Sequence, residues 1–170
     1  KVTAIGEKAF ENCTNLTVIE IPATTKTIGR RAFYGCTGIT EFTIPASVTS
    51  IGQQIFYKAD NLTTVYYNST YSSSDNTFLS VTNIKSVVFG GSKVPNDILQ
   101  GHANITEVTI LDGVKSIGYY AFWNCNSLNS VVIGDSVTSI GDNAFFSCDS
   151  LTSIVISDSV TSIGYDAFFY

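Results

Sequence analysis

"SVTSIGDNAFFSCDSLTSIVISDSVTSIGYDAFFY" occupies residues 136–170, and its first six residues, 136–141, recur unchanged at 159–164 after 17 intervening residues. The repetition extends outward over the whole chain. Aligned on the Phe of "AF", the register runs through Phe10, Phe33, Phe56, Phe78, Leu99, Phe122, Phe145 and Phe168, in steps of 23, 23, 22, 21, 23, 23 and 23 residues. A fixed period in this range marks a stacked repeat array.

Six residues after each of the first seven positions stands Leu16, Ile39, Leu62, Ile84, Ile105, Leu128 or Leu151. Each opens the pattern L-x-x-L-x-L, as in Leu16, Ile19, Ile21 and in Leu151, Ile154, Ile156. Its period-2 portion is a strand signal, apolar on one face and mixed on the other. A unit of this size cannot bury its apolar face alone, so about seven units of 21–23 residues are expected to stack. The strands then lie in a parallel sheet about 4.8 Å apart. Parallel crossovers predict a right-handed coil. The apolar spacing of Ala9, Phe10 and Cys13 suits one short helical turn on the opposite side of each coil, joined to the strand by an extended bridge. The Gly of "IG" (Gly6, Gly29, Gly52, Gly118, Gly141, Gly164) marks a tight backbone passage.

The string "IPxSVTSIGxxAFxxCxxLTxVxI", which begins at Ile44, resembles the BspA-like, Treponema-type leucine-rich repeat, and the likeness covers essentially all 170 residues. Five units keep "IG" and "AF" in step, and a sixth (Ile51-Gly52, Ile55-Phe56) lacks only the Ala. The resemblance implies a leucine-rich-repeat solenoid. It also implies a secreted or surface-attached protein of the kind implicated in adhesion to host proteins or other cells.

The middle departs from the pattern. "SVTSIG" is missing between Tyr66 and Phe78, and Val94-Pro95 stands where Ile-Gly belongs, so residues 67–100 read as an irregular coil. A domain boundary there is the alternative, but the strand register persists on both sides. The Ser-rich "STYSSSDN" is expected to bulge as a mobile surface loop. The whole of 1–170 reads as one solenoid. Because it starts and stops inside a unit, with no polar capping unit, it is expected to be part of a longer chain, with end-to-end self-association possible.

Composition narrows the function classes. Hydrophobic residues make up 44% and charged residues 14%, and the net charge is −5 with a pI near 4.6. No basic stripe exists for nucleic acid. No apolar run reaches the length of a membrane span, and no leader opens the chain. Cys13, Cys36, Cys125 and Cys148 each follow the Phe by three residues. They read as a reduced, buried ladder, because co-directional stacking disfavours a disulfide. His102, the one histidine, occupies the same column as a substituted core or half-exposed residue. It lacks the base and orienter that nucleophilic catalysis needs, and no phosphate loop, catalytic serine motif or zinc spacing appears. The chain is expected to be non-catalytic, with no cofactor and no metal. Asp112, Asp135 and Asp158 stack past the strands and read as turn-formers rather than as a calcium site. The N-x-S/T acceptors at Asn12, Asn15, Asn61, Asn68 and Asn104 carry weight only in a glycosylating host.

A repeat sheet binds through its outward positions. Here these are Glu20, Glu41, Thr43, Tyr66, Val88, Glu107, Thr109, Leu111, Val132 and Val155, acidic toward the start and aliphatic toward the end. A second stripe, one residue past the Phe, brings Tyr34, Tyr57, Trp123 and Phe146 onto a ridge. These rings either anchor a partner or fold back as core cover. The expected partner is a host or neighbouring-cell protein or glycan. The alternative is an architectural stalk whose face binds nothing.

Overall fold

The computed structural model describes residues 1–71, 81 and 83–169. The chain winds as a parallel β-solenoid of about seven turns. Its main sheet has five strands in the order β3 (Glu41–Ile44), β5 (Thr64–Tyr67), β6 (Ser86–Phe89), β7 (Glu107–Ile110) and β9 (Ser130–Ile133). Every neighbouring pair is parallel and in one unbroken register. Two-residue strands build two further parallel sheets from the "S-I" and related dipeptides. One contains β1 (Ala4–Ile5), β2 (Thr27–Ile28) and β4 (Ser50–Ile51), and the other β8 (Ser116–Ile117), β10 (Ser139–Ile140) and β11 (Ser162–Ile163).

Alternation decides which side chains enter the core. Phe42, Val65, Val87 and Val108 form one buried row and Ile44, Tyr67, Phe89 and Ile110 the other, while the residues between them face out. Phe33, Phe56, Phe122 and Phe145 fill the opposite side of the core. Successive rings stack down the axis, with centroids 5.2 Å apart for Phe10–Phe33, 4.9 Å for Phe122–Phe145 and 5.2 Å for Phe145–Phe168. Burying each ring contributes roughly 2–3 kcal/mol, and each stacked pair about 1 kcal/mol more.

The expected helical turns are not there: no helix occurs among the described residues. The "AFxxC" side of each coil is a run of overlapping four-residue turns. In the first coil the N–H groups of Ala9, Glu11 and Cys13 close turns on the carbonyls of Gly6, Lys8 and Phe10. The alternate N–H groups, on Lys8, Phe10 and Asn12, donate to Arg30, Ala32 and Tyr34 of the next coil at 3.0, 2.8 and 2.7 Å. An α-helix would use all its interior N–H groups internally and leave none for the neighbouring coil. Left-handed φ at two positions per turn run reverses the alternate amides: Lys8 and Asn12, Arg31 and Gly35, Gln54 and Lys58, Asp97 and Gly101, Tyr120 and Asn124, Asn143 and Ser147. Asn, Asp and Gly, which tolerate this region best, hold half or more of these positions. The inward spacing of Ala9, Phe10 and Cys13 survives the change of backbone, so the helical inference read a true apolar pattern onto the wrong chain path.

A second correction concerns the outermost coils, because among the described residues the main sheet has five strands and not seven. Pro45 lacks the N–H with which Asn68, one coil later, reaches the Ile44 carbonyl at 2.9 Å, so the first coil cannot zip to the second in the same way. Residues 151–156 have a coil on one side only. In the irregular middle, the strand register passes unbroken from β5 to β6. Val94 keeps the second-sheet register without the glycine: its N–H meets the Ser116 carbonyl and its carbonyl the Gly118 N–H. Buried Tyr67 donates its hydroxyl to the Tyr71 carbonyl, and buried Ser69 donates to the Val48 carbonyl at 2.7 Å. Of the anticipated Ser-rich loop at 69–76, Ser69 is buried and residues 72–76 lie outside the described residues, as do Phe78 and Leu79.

All four cysteines are free thiols, and Cys36, Cys125 and Cys148 are buried. Cys13, expected to be buried with them, is exposed because no earlier coil covers it. Each buried thiol donates to a carbonyl one coil back, Cys36 to Phe10, Cys125 to Leu99 and Cys148 to Phe122, at 3.0–3.2 Å. His102 is buried in the same column.

Two expectations follow from the backbone and the thiols. Replacing Asn124 by Ala is expected to lower stability by about 1 kcal/mol and replacing it by Gly to leave it unchanged or higher, as read by urea titration. In a helix the order would be reversed. Burial pushes Cys148 up to about 12 and Cys125 also upward. Both fold as neutral thiols, so their contribution is intact below the ordinary thiol range near 9 and is lost as pH rises from there toward 12, where the unfolded chain ionises first. The alkaline slope of stability is therefore expected to flatten in a Cys125→Ala/Cys148→Ala variant. At pH 8, thiol titration should find Cys13 alone reacting quickly, with the other three appearing only on unfolding.

Candidate functional site

The outer face of the main sheet is built by the strand pleat. Because β3, β5, β6, β7 and β9 share one register, Thr43, Tyr66, Val88, Thr109 and Val132 stand in a single row across five coils. A second row runs Glu41, Thr64, Ser86, Glu107, Ser130. Tyr66, Leu111 and Val132 are 37%, 45% and 56% exposed, Glu41, Thr43 and Glu107 are exposed, and Val88 and Thr109 are half-buried by their neighbours. Glu20 and Val155 continue the first row in the end coils, outside any strand, and both are exposed, Val155 at 81%. All ten residues anticipated for this face lie on it.

They do not form one cluster. Where the first two coils fail to zip, a hollow of about 200 Å³ opens, and Glu20, Glu41 and Thr43 line it together with Val18. Val132, Val155 and Leu111 lie at the other end, several coil spacings of about 4.8 Å away. Between them Tyr66 and Val88 make the transition from carboxylate to aliphatic surface. Leu111 stands between Gly90 and Gly134, whose missing side chains leave it prominent; a Cβ on Gly90 would come within 3.5 Å of its Cδ1.

The ridge aromatics are neither free anchors nor core. Tyr34, Trp123 and Phe146 are half-buried and Tyr57 is just exposed. They pair along the coil axis, Tyr34 tilted on Tyr57 at 5.5 Å and Trp123 stacked on Phe146 at 6.4 Å, and Phe146 stacks in turn on Phe169 at 5.3 Å. Arg31 and Lys58 both approach the Tyr34 ring, at 5.4 and 5.7 Å. The Lys58 ammonium is held charged more firmly by its contact with the Tyr34 hydroxyl. These rings mainly cover the turn runs, with one edge in solvent.

The Asp column is structural in at least one step, since the Asp112 carboxylate accepts the Asp135 N–H at 2.9 Å. No group of three His, Cys, Asp or Glu arranged for a metal occurs among the described residues. No helix among them is long and apolar enough to cross a membrane. Val18, an outward position flanking the first row of the main-sheet face, is 77% exposed beside the acidic hollow. One surface feature escaped the sequence reading. Tyr119 and Tyr165 stand out on the second small sheet, in the column that follows the "IG" glycine. Tabulating that column, Glu7, Arg30, Gln53, Asn96, Tyr119, Asp142, Tyr165, would have exposed the shift from charged to aromatic.

The profile of the BspA type leucine rich repeat region matches in six copies over residues 1–98 and 92–170. Several solved structures share the fold. A leucine-rich repeat protein from Bacteroides ovatus is 32% identical with a TM-score of 0.73, the likeness covering 98% of this chain and 44% of that one. One from Eubacterium ventriosum is 26% identical with a TM-score of 0.57, covering 99% and 43%. A leucine rich cell surface protein from Faecalibacterium prausnitzii is 26% identical with a TM-score of 0.51, covering 99% and 48%. The chain thus spans less than half the length of each. No curated protein matches it. With six copies of the repeat matched across residues 1–98 and 92–170, the chain belongs to the BspA-type leucine-rich repeat family.

Proposed function

We propose that this chain is a non-catalytic recognition module of a secreted or cell-surface protein, which attaches to a host or neighbouring-cell protein or glycan through the outer face of its main sheet. The observation that carries this reading is the in-register row of outward side chains on a continuous five-strand sheet, with Val132, Val155 and Leu111 left in solvent. Apolar side chains held in register on a rigid sheet lose little freedom when a partner covers them, so their burial translates into affinity with little ordering cost. The carboxylates Glu20, Glu41 and Glu107 supply orientation by charge, in keeping with a net charge of −5 that favours a basic or neutral partner. A surface location rests on the family and on the Faecalibacterium prausnitzii relative, a cell surface protein. We take the coil to be right-handed, as parallel crossovers are.

The test uses beads coated with the 170-residue chain, applied to cultured epithelial cells and to immobilised mucin. A Val88→Ser/Val132→Ser/Val155→Ser variant is expected to lose about tenfold or more in attachment, since each apolar contact is worth on the order of 1 kcal/mol. Attachment unchanged in the variant, or absent in the parent chain, would return the segment to the role of a stalk.

A further inference from the structure

We propose that the second small sheet carries a separate binding site for an extended, β-linked oligosaccharide, with Tyr119 and Tyr165 as its two stacking platforms. A shallow groove of about 440 Å³ runs across β8, β10 and β11, lined by Tyr119, Asp142 and the strand serines, and Tyr165 adjoins its end as the residue after Gly164. Its floor is set by the ladder in which Ser116 pairs with Ser139 and Ser139 with Ser162. Three residues beyond each of these serines stand Tyr119, Asp142 and Tyr165 in turn. The shared register therefore places the two tyrosines two coil steps apart, roughly 10 Å, with the carboxylate midway.

The chemistry of the lining fits a sugar better than a peptide or a lipid. Tyr119 and Tyr165 are 48% and 75% exposed, unlike the half-buried aromatics of the ridge. Tyr119 meets Tyr120 edge-on, with ring centroids 5.9 Å apart. Exposed aromatic faces at a fixed separation suit the apolar faces of pyranose rings. In an extended β-1,4-linked chain alternate sugar rings present the same face, at a repeat that two coil steps match. Between the platforms the surface offers hydrogen-bonding groups and little charge. One Asp142 oxygen accepts the Tyr165 N–H at 2.8 Å, which fixes the carboxylate, and the other has no protein partner among the described residues. The serine hydroxyls line the floor on either side.

The repeat does not account for this arrangement. At the same column in the first coils stand Glu7 and Arg30, whose ion pair closes at 2.6 Å, and then Gln53. The "IG" glycines do follow from stacking: a Cβ on Gly141 would come 2.6 Å from the Tyr119 backbone nitrogen. That close approach keeps the groove floor flat, and the aromatic residues after the glycine are the part that stacking leaves free. This site shares no residue with the main-sheet face, so the two stand or fall separately.

The experiment is titration calorimetry of the 170-residue chain with cellohexaose as the β-1,4-linked probe and maltohexaose as the α-1,4-linked comparison. Saturable binding of cellohexaose is expected, weakened about tenfold by Tyr119→Ala and by Tyr165→Ala. Tyr165→Phe, which keeps the ring, should bind as the parent does, and the Val88→Ser/Val132→Ser/Val155→Ser variant should be unaffected. Unchanged melting temperatures are expected for the tyrosine variants, because both tyrosines project into solvent. Equal affinity for maltohexaose overturns the spacing argument. Absence of binding to cellohexaose, or undiminished binding by both alanine variants, overturns the site.

Discussion

Backbone hydrogen bonding between successive coils is the constraint from which the rest of the structure follows. Each turn of the solenoid is too small to hold a core, and among the described residues none has a helix in which to satisfy its own amides. It therefore bonds to its neighbours on both sides of the section: through parallel strands on one side and through alternate amides of the turn runs on the other. In the turn runs these bonds all point one way among the described residues, from an N–H in one coil to a carbonyl in the next. Left-handed φ at two positions per run makes this possible, and it fixes the coil spacing on the turn side to that of the sheet side.

That spacing then dictates the side-chain chemistry. Phenylalanine rings held about one strand spacing apart stack face to face, as Phe145 and Phe168 do at an interplanar angle of 4°. Glycine is needed after the isoleucine because the backbone of the previous coil occupies the place of a Cβ; at Gly52 the Arg30 nitrogen would be 2.3 Å away. The cysteine ladder answers the same need, since a small thiol fits beside the Phe and still reaches a carbonyl one coil back. These positions recur because stacking requires them, and their recurrence carries no information about ligands.

Information about ligands lies where stacking is indifferent, on outward strand positions and on residues just past the glycines. On the main sheet the sequence drifts from carboxylates to aliphatic side chains, and on the second small sheet it changes from an ion pair to tyrosines and an aspartate. A solenoid displays such drifts as graded surfaces, because each column is a straight line of side chains at constant separation. Two faces of one short array can thus be specified independently, with no rearrangement of the core between them.

The sequence alone determined the architecture and most of the surface. The Phe register, the L-x-x-L-x-L strands and the "IG" glycines carry period and direction in their spacing, and alternation sends Thr43, Tyr66 and Val132 outward whatever the turn chemistry. Tertiary structure decided what depends on a neighbouring coil. The turn runs are not helices, because whether an amide bonds within its coil or across to the next leaves no trace in the inward spacing of Ala9, Phe10 and Cys13. Among the described residues the main sheet starts only at the second coil, because Pro45 withholds a donor whose absence matters only when a partner carbonyl lies opposite. Cys13 is exposed and Cys148 buried by the presence or absence of a coil one step before. The pairing of Tyr119 with Tyr165 came into view only with the ladder of Ser116, Ser139 and Ser162, since residues 46 positions apart in sequence become neighbours at two steps only once the coils are wound.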